Sequence, residues 1–331
     1  RAGKMKFVAV LLFINLIITV YSGCYRGPVV TRITGINLHS EGPHWHAEQH
    51  ALYYVDIAAH AVHRYSPIDG SDNRLVLNNT VSFVIPMLDK PNHLVIGFGL
   101  NLAILNWDGV SKNYKLRIIT TVDKNHPENR LNDAKADVLG RLWAGTMGKE
   151  EPVGNVVMNS ATLYSWNVEK CRMERRLSPV SISNGIVWSQ DNSKMYYIDT
   201  PSRNITSFDY DVENGEISNG RTIFSFGDVP GNPDGMTIDS RGNLWIACWG
   251  GSRVINVDPR SGRLLRTIFF PVERITSVTF GGLQRKTMYV TTMRLGLNSS
   301  QVETQPEAGA VFKVTNLGVQ GVVNNPALIF C

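Results

Sequence analysis

The stretch "NPDGMTIDSRGNLWIACW" spans residues 232–249. Asp234 and Gly235 open an apolar run, a polar turn holds Gly242 and Asn243, and a second run ends on Cys248 and Trp249. Alone, it is a hairpin preceded by a common turn dipeptide. The same plan recurs in "SEGPHWHAEQHALYYVDI" (40–57), "LNDAKADVLGRLWAGTM" (131–147), "ISNGIVWSQDNSKMYYIDT" (182–200) and "ITSVTFGGLQRKTMYVTTM" (275–293). "VSFVIPMLDKPNHLVIGFG" (81–99) is a degenerate sixth copy. Each copy sets a small or polar residue before a short strand, then a turn, then a strand rich in Tyr, Trp, Val and Ile.

Aligned on the residue that opens the first strand, the copies start at Glu41, Ser82, Asp133, Asn184, Asp234 and Ser277, with steps of 41, 51, 51, 50 and 43 residues. A unit of that length built from strands and turns is the signature of a propeller. Segments between copies, such as "NITSFDYDVENGEISNGRTIFSF" (204–226) and "RVINVDPRSGRLLRTIFF" (253–270), supply an outer hairpin for each blade. The expectation is an all-β, six-bladed β-propeller with four-stranded blades and a central channel. A solenoid of β-units is the weaker alternative, because its repeats are shorter and more regular. A ring without free edges needs its first and last segments in one blade. "PVVTRITGI" (28–36) and "GAVFKVTNLGV" (309–319) are therefore assigned to the closing blade. That assignment brings the chain ends together, and a Cys24–Cys331 disulfide is expected to clasp them. Cys248, inside an apolar strand, is expected as a buried thiol; Cys171 has no obvious partner.

The first residues read differently. Lys4 and Lys6 precede an apolar run from Phe7 to Val20. It is short for a membrane span and fits the apolar core of a signal peptide. Residues 1–22 are expected to be that peptide, with Met5 as initiator and residues 1–4 upstream of it; a retained anchor is the alternative. The remainder, 23–331, is expected to be one propeller domain, secreted, monomeric and without stable membrane insertion. Removing the peptide lowers the formal net charge from +5 to +2. No stripe of Lys and Arg remains to track a phosphate backbone, which argues against nucleic acid as a partner. Sequons at Asn78, Asn204 and Asn298 are compatible with secretion.

In a propeller the innermost strands line the channel, and the residues that open them ring one mouth. The register thus predicts that Glu41, Asp133, Asn184 and Asp234 converge from four blades. Clustered carboxylates repel and desolvate one another unless a cation neutralises them. Carboxylates and an amide oxygen suit a hard divalent ion such as calcium, magnesium or manganese, and zinc also accepts carboxylates.

These motifs carry a resemblance. "EGPHW", "RLNDAKADVLGRLWAGTM", "SNGIVWSQDNSKMYYIDT" and "PDGMTIDSRGNLWIA", in this order, resemble the regucalcin/gluconolactonase/luciferin-regenerating enzyme family of six-bladed propellers. The likeness runs from about Val29 to the C-terminal "VTNLGVQGV", and "GPVV", "LNWDGVS" and "ITSVTFGG" look closest to the insect luciferin-regenerating branch. The resemblance implies one divalent metal held by Glu41, Asn184 and Asp234. It implies substrate contacts from Arg130 and Asn132, with Asp133 beside them, and from Glu150 in a mobile loop, "GTMGKEEPVGNVV". Ala134 departs from the family's usual glycine, which is expected to add a methyl near the mouth. Cytoplasmic residence, as in many family members, is the alternative to secretion.

The leading expectation is a metal-dependent hydrolase of small lactones, with Asp234 or Asp133 orienting the attacking water. A calcium-binding regulatory protein without turnover, a ligand-binding propeller with a degenerate site, and a luciferin-regenerating or other ester hydrolase are the alternatives. Six of eight histidines fall between His39 and His63. A solvated histidine-rich blade is expected there, with zinc on His44 and His46 as the competing reading. Trp143, Trp188 and Trp245 sit at repeat positions that call for a core aromatic, whereas Trp249 breaks the pattern and is the tryptophan to examine for ligand contact.

Overall fold

Among the residues described by the computed structural model, 27–330, twenty-four strands form six separate four-stranded antiparallel sheets. The expected signal peptide and the expected Cys24–Cys331 clasp fall outside those residues. Blade 1 runs from Ser40 to Val76, blade 2 from Val81 to Thr121, blade 3 from Arg130 to Val180, blade 4 from Ser183 to Ser225 and blade 5 from Asn232 to Phe269. Blade 6 takes Ile275–Gly281, Thr287–Thr292 and Phe312–Thr315, and its fourth strand is Val29–Arg32 from the other end of the chain. Val29 pairs with Thr315 and Arg32 with Phe312, so the ring closes as the two flanking segments require.

The first strand of each blade packs against the first strands of both neighbours, all the way round. One apolar cluster fills each of the six interfaces between blades. The repeated aromatics hold these interfaces. Trp143 meets Trp188 and Tyr210 between blades 3 and 4, and Trp245 meets Phe280 edge-on between blades 5 and 6. All three tryptophans assigned to packing are buried there, and so is Cys248. Hence the second strand of each copy is rich in Tyr, Trp, Val and Ile: it is covered on both faces.

Every first strand carries an irregularity at the same place. Register shifts fall between Glu41 and His44, Val81 and Val84, Leu131 and Ala134, Asn184 and Ile186, Pro233 and Met236, and Ile275 and Ser277. A bulge re-aims a side chain without ending the sheet. Here they fall at the level of the aligned residues, and Glu41, Asn184 and Asp234 face one mouth. Gly185 and Gly235 let adjoining strands close up at that level. A Cβ at Gly235 would lie 2.0 Å from Ser277 Oγ, and one at Gly185 would lie 2.6 Å from Met236 Cβ.

The opposite mouth is covered by the C-terminal segment. Gly321 bridges to Asp239 of blade 5, Asn324 donates to the Phe280 carbonyl of blade 6 at 2.9 Å, and Leu328 N donates to Gly140 O of blade 3 at 2.7 Å. Ala327 and Ile329 enter the apolar cluster between blades 2 and 3. Cys171 corrects its reading: it is disulfide-bonded, and its Sγ lies 3.6 Å from the Phe330 carbonyl oxygen. The histidine expectation also changes, because His44 and His63 are buried rather than solvated. His63 Nδ1 sits 3.2 Å from Asp72 Oδ1. No helix among the described residues is long and apolar enough to cross a membrane.

Candidate active site

The bulged residues of blades 1, 3, 4 and 5 meet at a cavity of about 370 Å³. Glu41, Asn132, Asn184 and Asp234 are on its wall together with Arg130, and all but Arg130 are buried to within a tenth of full coverage. Glu150 and Trp249 line it too. Asp133 is not a wall residue, though its charge reaches both Glu41 and Asp234. The Ala134 methyl does not narrow the cavity: it packs into the apolar cluster between blades 2 and 3, because the bulge turns it away from the channel.

A chain of amide contacts orders the polar wall. Arg130 Nη1 donates to Asn132 Oδ1 at 2.6 Å, and Asn132 Nδ2 donates to Asn184 Oδ1 at 2.9 Å. Asn184 Nδ2 donates to Thr200 Oγ1 at 2.7 Å, and that hydroxyl donates to Pro233 O at 2.8 Å. Asn184 therefore keeps its carbonyl oxygen on the side of Asn132, with a second lone pair open to the cavity.

The carboxylates are not so well provided. Glu41 Oε2 accepts the Gly42 amide at 2.6 Å, while the Asp234 carboxylate accepts no hydrogen bond among the described residues. Burial first, then the Asp133 charge, raises Glu41 to about 8. Burial, then the charges of Glu41 and Asp133, holds Asp234 well above the usual carboxylate range. Arg130 partly opposes both shifts, and burial lowers its own pKa. His39, also on the wall, is kept neutral: burial, then the charges of Arg130 and Arg274, lower it to about 3.

Two buried carboxylates and an amide oxygen, short of donors, are a fit for a hard divalent cation. Among the described residues no three His, Cys, Asp or Glu side chains form a ready-made cage. A cation held by Glu41, Asp234 and Asn184 would thus have only three protein ligands, with positions left for water or substrate.

The family model described as SMP-30/Gluconolactonase/LRE-like region matches residues 39–294. The chain belongs to that family. Regucalcin of Bos taurus is 39% identical over 286 residues, covering 86% of this chain and 93% of the relative. Regucalcin of Homo sapiens is 38% identical over 282 residues, covering 85% and 92%. A solved luciferin-regenerating enzyme superposes with a TM-score of 0.86 at 38% identity, over 91% of this chain and 99% of that one. A gluconolactonase of Xanthomonas campestris shares the fold, with a TM-score of 0.69 at 20% identity over 86% and 89%. The family includes gluconolactonases, in keeping with hydrolytic chemistry.

Trp249, the tryptophan singled out for ligand contact, lines the cavity as expected, whereas Met147, Thr200 and Met293 on the same wall escaped the sequence reading. Each ends, or directly follows, the second strand of its blade. The second-strand ends "GTM", "IDT", "ACW" and "TTM" occupy one repeat position, and that register is the signal that marks them. His39 lies two residues before Glu41 and carries no repeat signal of its own.

Proposed function

We propose that the chain is a divalent-cation-dependent hydrolase of small lactones or closely related carboxylic esters. The observation that carries this reading is the meeting of Glu41, Asn184 and Asp234, from blades 1, 4 and 5, on one cavity wall beside Arg130. Glu41, Asn184 and Asp234 would hold the cation, which when bound neutralises the paired carboxylates and polarises the substrate carbonyl. A water held against Asp234 attacks the carbonyl carbon, and Asp234 takes its proton. The acyl C–O bond then breaks, the departing oxygen takes up that proton, and a hydroxy acid leaves. Arg130, fixed by Asn132, presents a guanidinium to the charge that develops on the carbonyl oxygen.

The test is a metal-by-substrate screen on the protein from residue 23 onward, with calcium, magnesium, manganese and zinc against γ- and δ-lactones. Asp234→Ala is expected to lower turnover by roughly 100-fold or more, and to abolish cation binding measured by calorimetry. Full turnover in that variant, or in a strong chelator, refutes the site. Calcium binding without turnover of any lactone supports a regulatory calcium-binding protein instead.

We also read the chain as secreted. The disulfide at Cys171 supports that reading, since such bonds persist in oxidising compartments. Free Cys171 thiol in protein recovered from an oxidising medium would contradict it.

A further inference from the structure

We propose that the cavity selects lactones carrying an apolar substituent, aliphatic or aromatic, over polyhydroxylated sugar lactones. This inference rests on the hydrolase reading above and names the substrate class within it.

The wall has two kinds of lining. The carboxylates, the amide chain and Arg130 make one. Met147, Val156, Met158, Ile182, Trp249 and Met293 make the other, drawn from the second-strand ends of blades 3, 5 and 6 and the segments after Met147 and Val180. Three of these recur at one register position, the end of the second strand, where the sheet itself asks for nothing so large. Met158 lies in the loop at 49% exposure. An exposed thioether beside a cavity is a feature of ligand grooves rather than of folding cores.

Trp249 is held in place from two sides. The Arg274 guanidinium lies 5.1 Å from its ring centroid, and a Cβ at Gly154 of the loop would sit 3.5 Å from Cη2. The indole is thus fixed as a wall beneath the loop. The loop closes on itself through the Glu150–Val156 bridge and is tied down by Lys149, which pairs with Glu128 at 2.8 Å and Glu151 at 3.3 Å.

A polyol would need donors and acceptors here, and Thr200, Asn232, Asn155 and Glu150 each already have at least one hydrogen-bonding atom engaged within the protein. Thr200 is bonded to Asn184 and Pro233, Asn232 Oδ1 accepts from Arg203 at 2.7 Å, and Asn155 Nδ2 donates to Glu151 O at 3.1 Å. Glu150 Oε1 accepts the Gly154 amide at 2.7 Å. Stripping a sugar's hydroxyls of water against such a wall is costly, whereas an alkyl or aryl group gains by burial.

The experiment compares kcat/KM for γ-butyrolactone, γ-nonalactone, γ-phenyl-γ-butyrolactone and glucono-δ-lactone. The tailed lactones are expected to exceed γ-butyrolactone by on the order of tenfold or more, with glucono-δ-lactone the poorest. Trp249→Ala is expected to shrink the nonalactone-to-butyrolactone ratio roughly tenfold, mainly through KM, and Met158→Ser several-fold. A preference for glucono-δ-lactone, or an unchanged ratio in both variants, overturns the inference while leaving the hydrolase reading intact. If no lactone is hydrolysed with any of the four cations, the hydrolase reading fails, and 2-pentylcyclopentanone, which has the ring and tail but no ester bond, tests the wall by itself. Its binding in saturation-transfer NMR, lost in Trp249→Ala, upholds the apolar wall; no binding to the unaltered protein overturns it.

Discussion

Removing divalent cations should make the protein less stable as pH rises, and restoring a cation should reverse that trend. In the cation-free fold Glu41 titrates near 8, raised by burial and then by Asp133, against an ordinary 4.5. Between those two values the folded state keeps a proton that the unfolded state has lost. Stability is therefore full below about pH 4.5 and declines as pH rises toward 8. At 1.36 kcal/mol per pH unit, the separation sets a ceiling of about 5 kcal/mol for Glu41, and Asp234 acts in the same direction. For a domain of this size each kcal/mol moves Tm by roughly 2 °C, so over the three units from pH 5 to pH 8 the Glu41 ceiling is about 4 kcal/mol, or about 8 °C. A bound cation requires the ionised carboxylates, so its stabilising increment should grow over the same window. Scanning fluorimetry in EDTA and in calcium, at pH 5, 6, 7 and 8, checks both slopes. Glu41→Gln should flatten the chelator curve. A Tm in EDTA that is flat or rises with pH, or a calcium increment that does not depend on pH, would refute the reasoning.

Two further predictions concern the ring. Ile329→Ala should cost about 2–4 kcal/mol in denaturant unfolding, because the side chain fills the apolar cluster between blades 2 and 3; a loss under about 0.5 kcal/mol would mean the C-terminal segment is not integral to it. Gly235→Ala should cost about 1–3 kcal/mol and weaken cation binding as well, since the new methyl would meet Ser277 Oγ at 2.0 Å beside Asp234; unchanged calorimetric affinity would show that the strand spacing there is not what aims Asp234.

The fold was legible because each blade repeats one strand–turn–strand sentence, and the mouth residues because they occupy one word of it. Glu41, Asn184 and Asp234 look like ordinary turn residues until the copies are aligned. The C-terminal cover was not legible, since residues 321–328 dock largely through isolated bonds, as Leu328 does on Gly140 and the Asn324 side chain on Phe280, and such contacts leave no hydrophobic period. The expected position of the Ala134 methyl failed for a related reason. A one-residue bulge reverses which face a side chain takes, and its exact place is not encoded in residue type. The histidines misled because composition was read without register: His44 belongs to a channel-lining strand, and His63 to a buried one.

The channel gives the two aspartates that the sequence left as equal candidates different surroundings. Asp133 lies in the bulge on the inner strand of blade 3 and Lys135 two residues on, past it, and Lys135 sits at the cavity of about 350 Å³ near the opposite mouth with His44. Lys135 Nζ donates to Met236 O at 3.0 Å; burial lowers its pKa to about 8, and the Asp133 charge works against that. Burial raises Asp133, but Lys135 and the Ala134 amide, which Asp133 Oδ1 accepts at 2.8 Å, pull it back down. Asp133 thus has a fixed positive neighbour and a backbone donor, whereas Asp234 accepts no hydrogen bond among the described residues and has only the Arg130 charge set against those of Glu41, Asp133 and Glu150. One acid is compensated by its own neighbours, the other only in part. On the hydrolase reading proposed above, a cation and a water to be activated would gain most at Asp234, with the chemistry on the open side of the ring and a supporting electrostatic part for Asp133.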